Sequence, residues 1–241
     1  MASVNTPVLV MGSKNYSSWS LRPWVFLRKV GFEFREQIVH FDTPNYQAEI
    51  AALSPSRRVP VLIDGETAIW DSLAICEYAA DCTGRGLPKD RMARALARSA
   101  AAEMHSGFAA LREQCPMNVR AAPRRVPSTP QLEADIARVD QIWSQCRQRY
   151  GGDGSDVDGK RSAGGWLFGD FSIADAMFAP VWFRFRTYGA SLCAESAAYL
   201  RHALSDPTVR EWSETCAQEG HPLAYADNVG TTDTCINTYR P

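Results

Sequence analysis

The chain has 241 residues, of which 45% are hydrophobic and 22% charged, and its formal net charge is −1. That length suits two domains with sizeable cores, so neither a disulfide nor a metal is needed to hold the fold. Residues 1–82 carry 7 Lys+Arg against 9 Asp+Glu and the remainder 19 against 18, so the basic footprint of a nucleic-acid binder is absent.

Residues 8–12 (VLVMG) read as a short buried strand. From Ser20 to Val30, Leu21, Trp24, Val25, Leu27 and Val30 recur at helical spacing. Ser17, Ser18 or Ser20 suits the cap of that helix, Pro23 its first turn and Gly31 its end. Residues 34–41 read as a second strand and 43–53 as a short helix. Val59–Ile63 and Ala68–Trp70, joined by Asp64-Gly65-Glu66, read as a hairpin. Ser72 to Cys82 is helical through Leu73, Ile75, Cys76 and Ala79. The order β-α-β-α-β-β-α implies a mixed sheet with helices packed on it.

Composition shifts at Thr83–Pro88, a linker. Beyond it the pattern predicts helices over 90–114, 131–150, 173–188, 195–204 and 208–218. Residues 151–165 contain six glycines and read as a flexible loop. Asp156, Asp158 and Gly159 there mimic part of a calcium loop, but the register puts glycines where its first and last carboxylates belong. Arg120, Arg124 and Arg125, beside Pro123 and Pro127, read as a solvated loop, and residues 220–241 as a loosely held tail. The domains are therefore 1–83 and 90–220, with a tail at 221–241. The seven cysteines form no C-x-x-C pair, which points away from a zinc site or a disulfide framework. The opening MASVNTPVLVMGSK lacks a basic region followed by a long apolar run, and no stretch reaches the length of a membrane span. The expected location is a reducing cytoplasm.

Three features carry chemistry. Asn15–Ser20 lies between the first strand and first helix. A helix start offers unpaired N–H groups and partial positive charge to an anion such as a thiolate, and a serine hydroxyl there can donate to the sulfur. Simple capping is the alternative. Val59-Pro60 opens a strand. A cis bond there would turn the Val59 N–H and C=O outward, where a peptide-like ligand can pair with them; an ordinary edge proline is the alternative. Asp71-Ser72 enters the third helix. Ser72 can grip a carboxylate and Asp71 an ammonium, or both can merely cap. Together these groups suit a thiol, a peptide backbone and an α-amino acid end, the parts of glutathione.

The stretches YSSWSLRPW, SPSRRVPVLIDG, WDSLAICEYAAD and FSIADAMFAPV resemble bacterial glutathione transferases over about residues 8–218. The resemblance implies a thioredoxin-like N-terminal domain followed by an all-helical domain. It implies glutathione as cosubstrate, no metal, a small, mostly apolar electrophile as partner, and a homodimer. Ser17 matches the thiol-activating serine of theta- and zeta-like members, with Ser18 the second candidate. Val59, with Pro60, would pair with the cysteinyl part of glutathione. Asp71 and Ser72 would hold the γ-glutamyl end, and Arg58 or His40 the glycine carboxylate. Ser172 and Asp175 match the family's helix-capping box, a folding element. Tyr16, Trp19, Met104, His105, Phe108 and Tyr188 are candidates to line an electrophile pocket. Arg184 and Arg186 suit either an acidic substrate or a solvated face. Zeta enzymes carry SSCSWRV where this chain has SSWSLRP, which weakens assignment as a maleylacetoacetate-type isomerase. No cysteine stands at the first helix, so a protein-thiol exchange mechanism is not expected. A glutathione-dependent isomerase or dehalogenase, and a non-catalytic binding or regulatory protein of the same fold, are the alternatives.

Overall fold

The computed structural model describes residues 6–121, 123–151 and 164–232. Its N-terminal half is built from β1 (Val8–Gly12), α1 (Ser18–Val30), β2 (Arg35–Val39), α2 (Tyr46–Leu53), β3 (Val61–Asp64), β4 (Thr67–Trp70) and α3 (Ser72–Thr83). The strands form one sheet in the order β2-β1-β3-β4, with β2 parallel to β1 and β3 and β4 antiparallel to their neighbours. Side chains alternate across a strand, and the two faces separate accordingly. Val10, Val39 and Val61 face Ile50 of α2. Leu9, Met11 and Leu62 join the larger core that contains α1 and α3. This is the mixed sheet with packed helices that the residue pattern predicts, in the thioredoxin-like arrangement that the resemblance implies.

The C-terminal half holds α4 (Arg91–Ser106), α5 (Ala109–Gln114), the two-residue strand β5 (Arg124–Arg125), α6 (Pro130–Tyr150), α7 (Ile173–Tyr188), α8 (Ala194–Ser205), α9 (Pro207–Gln218), α10 (Ala224–Asp227) and β6 (Thr231–Thr232). The most buried helix is α7: Trp182, Phe178 and Phe183 are sealed in, and its residues share one apolar core with Trp24 and Phe26 of α1. The two halves thus meet through hydrophobic packing, which fixes the cleft between them. The linker helps, since the Gly86 carbonyl accepts the Ile173 N–H at 2.9 Å. A side chain at Gly86, where φ is +84°, would collide with the Phe26 ring, so the close approach requires glycine.

At the start of α7, Asp175 is fully buried and accepts four hydrogen bonds: from Leu167 N (3.0 Å), Ser172 N (2.9 Å), Ser172 Oγ (2.8 Å) and the Tyr199 hydroxyl (2.9 Å). The Ser172–Asp175 capping box forms at the expected place.

Four sequence expectations need correction. Helix α1 begins at Ser18, so Pro23 lies inside it rather than in its first turn. The helix expected over 90–114 is two. Gly107 caps α4 by donating to the Glu103 carbonyl (2.9 Å), and Phe108 turns left-handed at φ 62°. The Arg112 guanidinium then satisfies the exposed α4 carbonyls of Met104 and His105 (3.2 Å), a tertiary cap that helical periodicity does not encode. The segment with the arginines at 120–125 is exposed at Arg120 and Arg125, as a solvated loop would be, but it is tied down. Arg120 binds the Tyr16 hydroxyl (3.1 Å) and the Glu219 carbonyl, and Arg124 binds the carbonyls of Ala226, Asp227 and Val229. Finally, the tail expected to be loose is packed as far as residue 232. Asp227 accepts from the Tyr16 hydroxyl (2.7 Å) and Asn118 Nδ2 (2.8 Å), and β6 pairs antiparallel with β5. The loop read over 151–165, with Asp156, Asp158 and Gly159, lies mostly outside the described residues, as do residues 233–241. Among the described residues, no helix is long and apolar enough to cross a membrane.

Candidate active-site cleft

A cleft of about 350 Å³ opens between the halves. Its walls are the β1–α1 turn (Tyr16, Ser17, Ser18, Trp19), the segment before β3 (Arg58, Val59), Phe41 and Tyr46 near α2, and Arg112, Pro116, Met117, Arg184 and Tyr225 from the helical half.

The β1–α1 turn is short because consecutive backbone bonds coil it directly into the helix. Ser17 N donates to the Ser13 carbonyl (2.8 Å), and the N–H groups of Ser20 and Leu21 both donate to the Ser17 carbonyl (3.1 Å). Glu219 clamps the turn from the helical half by accepting from Lys14 N (2.6 Å) and Asn15 N (2.9 Å). No acidic residue occupies the first turn of α1, so the positive end of the helix dipole is not neutralised locally. The Ser17 hydroxyl donates to Ser20 Oγ (2.8 Å), which also accepts the Gly12 N–H (3.1 Å). Ser18 is buried on the same turn.

Tyr16 lines the cleft with its ring, but its hydroxyl proton is engaged by Asp227. Burial, and then that carboxylate, push the phenol above its ordinary value, so it is a poor donor to a bound thiol. Trp19 is 37% exposed; its ring meets His105 edge-on at 5.4 Å.

The other candidate residues fall in three places. The Val59–Pro60 bond is cis and leads into β3, with Arg58 and Val59 on the cleft wall. Asp71 takes the left-handed φ of 78° at the cap of α3, accepts the Leu73 N–H (2.8 Å), and lies 3.3 Å from His105 Nε2. Ser72 beside it is buried, and its hydroxyl has no partner among the described residues. His40, next to the cleft-lining Phe41 in sequence but not itself a lining residue, is stacked on His221 at 3.8 Å and lies 3.4 Å from Ser13 Oγ. Of the electrophile-pocket candidates, Tyr16 and Trp19 line the cleft. Met104 and Phe108 are buried in the core instead: Met104 lies on the face of α4 that packs on α7, and the Phe108 ring, just past the end of α4, meets Phe178 of α7 at 6.5 Å. His105 is taken up by Asp71 and Trp19, and the Tyr188 hydroxyl by the Pro116 carbonyl (3.0 Å). The sequence pattern did not point to Phe41, Tyr46, Arg112, Met117 or Tyr225. They come from separate segments, and only Arg112 carried a signal, as a cation next to the helix break. Arg186 binds the Val119 carbonyl and lies away from the cleft.

Among the described residues, no cysteine lines the cleft. Burial raises the thiols of Cys76 and Cys216 far above the ordinary range and that of Cys115 to about 11, so these are packing residues.

The fold and cleft define a two-domain protein that presents a thioredoxin-like ligand surface to a helical partner domain. Two family models match: the glutathione S-transferase N-terminal domain over residues 16–82 and the glutathione S-transferase C-terminal domain over residues 90–215. The chain belongs to the glutathione S-transferase family. Similar solved structures include a glutathione transferase homolog from Burkholderia with bound glutathione (23% identity, TM-score 0.64, covering 89% of this chain and 100% of that one). An unclassified glutathione S-transferase from Bombyx mori (17%, 0.67, 95% and 100%) and yeast Ure2p in complex with glutathione (19%, 0.63, 88% and 99%) are also similar. At these identities the likeness speaks to fold. No curated protein sequence matches.

Proposed function

We propose that the chain is a serine-type glutathione transferase in which Ser17 and the start of α1 hold the glutathione sulfur as its thiolate. One observation carries this reading: the Ser17–Ser18 turn, the Val59 main chain and an aromatic wall open on one cleft at the amino end of a helix. The γ-glutamyl end of glutathione would lie at Asp71 and Ser72, whose buried hydroxyl lacks a partner among the described residues. Arg58 faces the glycine end, with His40 next to the cleft-lining Phe41 in sequence.

The Ser17–Ser20–Gly12 chain suits the task. A hydroxyl is both donor and acceptor and rotates to suit. Ser20 can keep accepting from Gly12 while donating to Ser17, which frees the Ser17 proton for the sulfur. The thiol loses its proton to water, and each pKa unit of lowering reflects about 1.4 kcal/mol of preference for the ionised form. The sulfur lone pair then forms a C–S bond with the electrophilic carbon. In a substitution, the leaving group departs with the electron pair of its bond. In an addition, the pair moves to the electron-withdrawing group and water supplies a proton. Positioning both reactants supplies much of the acceleration. Isomerisation or dehalogenation would use the same thiolate and differ only in the acceptor.

A glutathione-binding protein without catalysis is the second reading, favoured by the likeness to the nitrogen regulation fragment of Ure2p. Calorimetric titration with glutathione, together with an ultraviolet difference spectrum of the bound sulfur, separates the two. Binding with a thiolate band at neutral pH supports the transferase. Binding without ionisation supports the second reading, and no binding removes both.

A further inference from the structure

Three guanidinium groups converge beside the cleft without a counter-ion. Arg112 and Arg184 line its wall from the helical half. Arg22, on α1, is fully buried behind Trp19: its guanidinium carbon lies 4.2 Å from the indole centre, and that of Arg112 lies 4.9 Å from the same ring. Their hydrogen bonds run to carbonyls. Arg22 Nε donates to Met177 (3.1 Å), Arg112 Nε to Gly107 (2.9 Å), and Arg184 to Arg112 (3.2 Å) and Cys115. Both terminal nitrogens of Arg22 have no partner among the described residues. Among those residues, none of the three arginines forms an ion pair. The nearby carboxylates are bound elsewhere: Asp71 to Leu73 N and His105, and Asp135 to Leu111 N (2.9 Å). Burial first, and then their mutual repulsion, lowers Arg22 and brings Arg184 down to about 10. Buried cations are ordinarily paired, and a like-charge trio left bare next to a substrate cleft calls for an anion.

We propose that the second substrate carries a carboxylate, received by Arg112 and Arg184 on the helical wall with the Arg22 charge behind Trp19. This rests on the transferase reading for the word substrate, but the anion site stands on its own geometry. It replaces the small, mostly apolar electrophile that the family resemblance suggests. The planar guanidinium forks suit a carboxylate, and the exposed Trp19 face suits a flat, conjugated acceptor attached to it. Arg58, across the cleft, remains for glutathione.

The test compares two unreactive probes of one shape, 3-nitrobenzoate and 3-nitrobenzamide, by calorimetry on the whole protein, with glutathione affinity measured separately. The wild type should bind the carboxylate roughly tenfold or more tightly than the amide, as charge-assisted hydrogen bonds predict. Arg184→Gln and Arg112→Gln should lose that preference while retaining glutathione affinity, and Arg58→Gln should do the reverse. Equal affinity for the two probes in the wild type overturns the proposal. So does a preference that survives in both the Arg112 and Arg184 variants. Because the wild-type comparison requires no substitution, the proposal can be overturned even if a variant misfolds. Glutathione binding with equal probe affinities ends the anion site and spares the transferase; carboxylate preference without glutathione binding does the opposite.

Discussion

Two sets of buried polar groups in this molecule differ in completion. At the start of α7, the Asp175 carboxylate is surrounded by four donors. At the junction of α1 and α3, Ser72 and the Arg22 terminal nitrogens are buried with no partners among the described residues. Leaving a buried polar group unmade costs about 1–3 kcal/mol, more when it is charged. A finished network therefore stabilises the fold, while an unfinished one beside a cleft is the mark of a ligand that completes it. The indole N–H groups of Trp143 and Trp212 are also unpartnered among the described residues. What sets Arg22 and Ser72 apart is proximity to the cleft wall: Arg22 lies 4.2 Å from the cleft-lining Trp19, and Asp71 beside Ser72 lies 3.3 Å from His105, which meets that same ring.

The sharpest way to break this contrast is catalytic. Ser17→Ala should cut glutathione transfer by about 10–10³-fold, the range for one donor to a developing anion, with little change in glutathione affinity. If Ser18→Ala does this in steady-state kinetics and Ser17→Ala does not, the neighbouring hydroxyl is the donor. On the finished side, Asp175→Ala should cost about 3–5 kcal/mol in denaturant unfolding, because four donors lose their acceptor in the interior. An unfolding midpoint close to wild type would show that the network is not structural.

Ser72→Ala should do the reverse of Asp175→Ala. Its hydroxyl has no partner among the described residues to lose, so stability should hold while calorimetric glutathione affinity drops roughly tenfold. Unchanged affinity would remove Ser72 from the site. Tyr16→Phe should cost only about 1–2 kcal/mol, by releasing Asp227, and should leave the pH profile of transfer in place. A collapse of turnover there would make the phenol, against its raised proton affinity, the sulfur's donor. The smallest effect concerns the protein's own thiols. With Cys115 held at about 11 and Cys146 at about 12 by burial, alkylation at neutral pH should label the exposed Cys82 and Cys193 before the other described cysteines, as mass spectrometry can read, without loss of transfer.

Much of the N-terminal half was legible because its signals are local. Strand alternation, the Asp64–Glu66 turn and the serines before α1 each act within a few residues. The capping pair Ser172–Asp175 was equally readable. Legibility failed where a distant group supplied the missing bond. Arg112 closes α4 from beyond the break, and Arg120, Arg124 and Asp227 tie down a segment whose own composition looks unpacked. Met104 was a candidate for the pocket because helical spacing identifies an apolar face without naming what that face meets.

The sequence alone thus determined the order of elements as far as α3 and the serine, valine-proline and acid-serine motifs, since these depend on neighbours along the chain. Tertiary structure decided which aromatics reach the cleft, that the chain after Gly220 packs against Tyr16, and that three arginines from α1, α5 and α7 meet without an ion pair among the described residues. Such a convergence depends on how the two cores dock, and docking is a property of surfaces that no single stretch of chain contains.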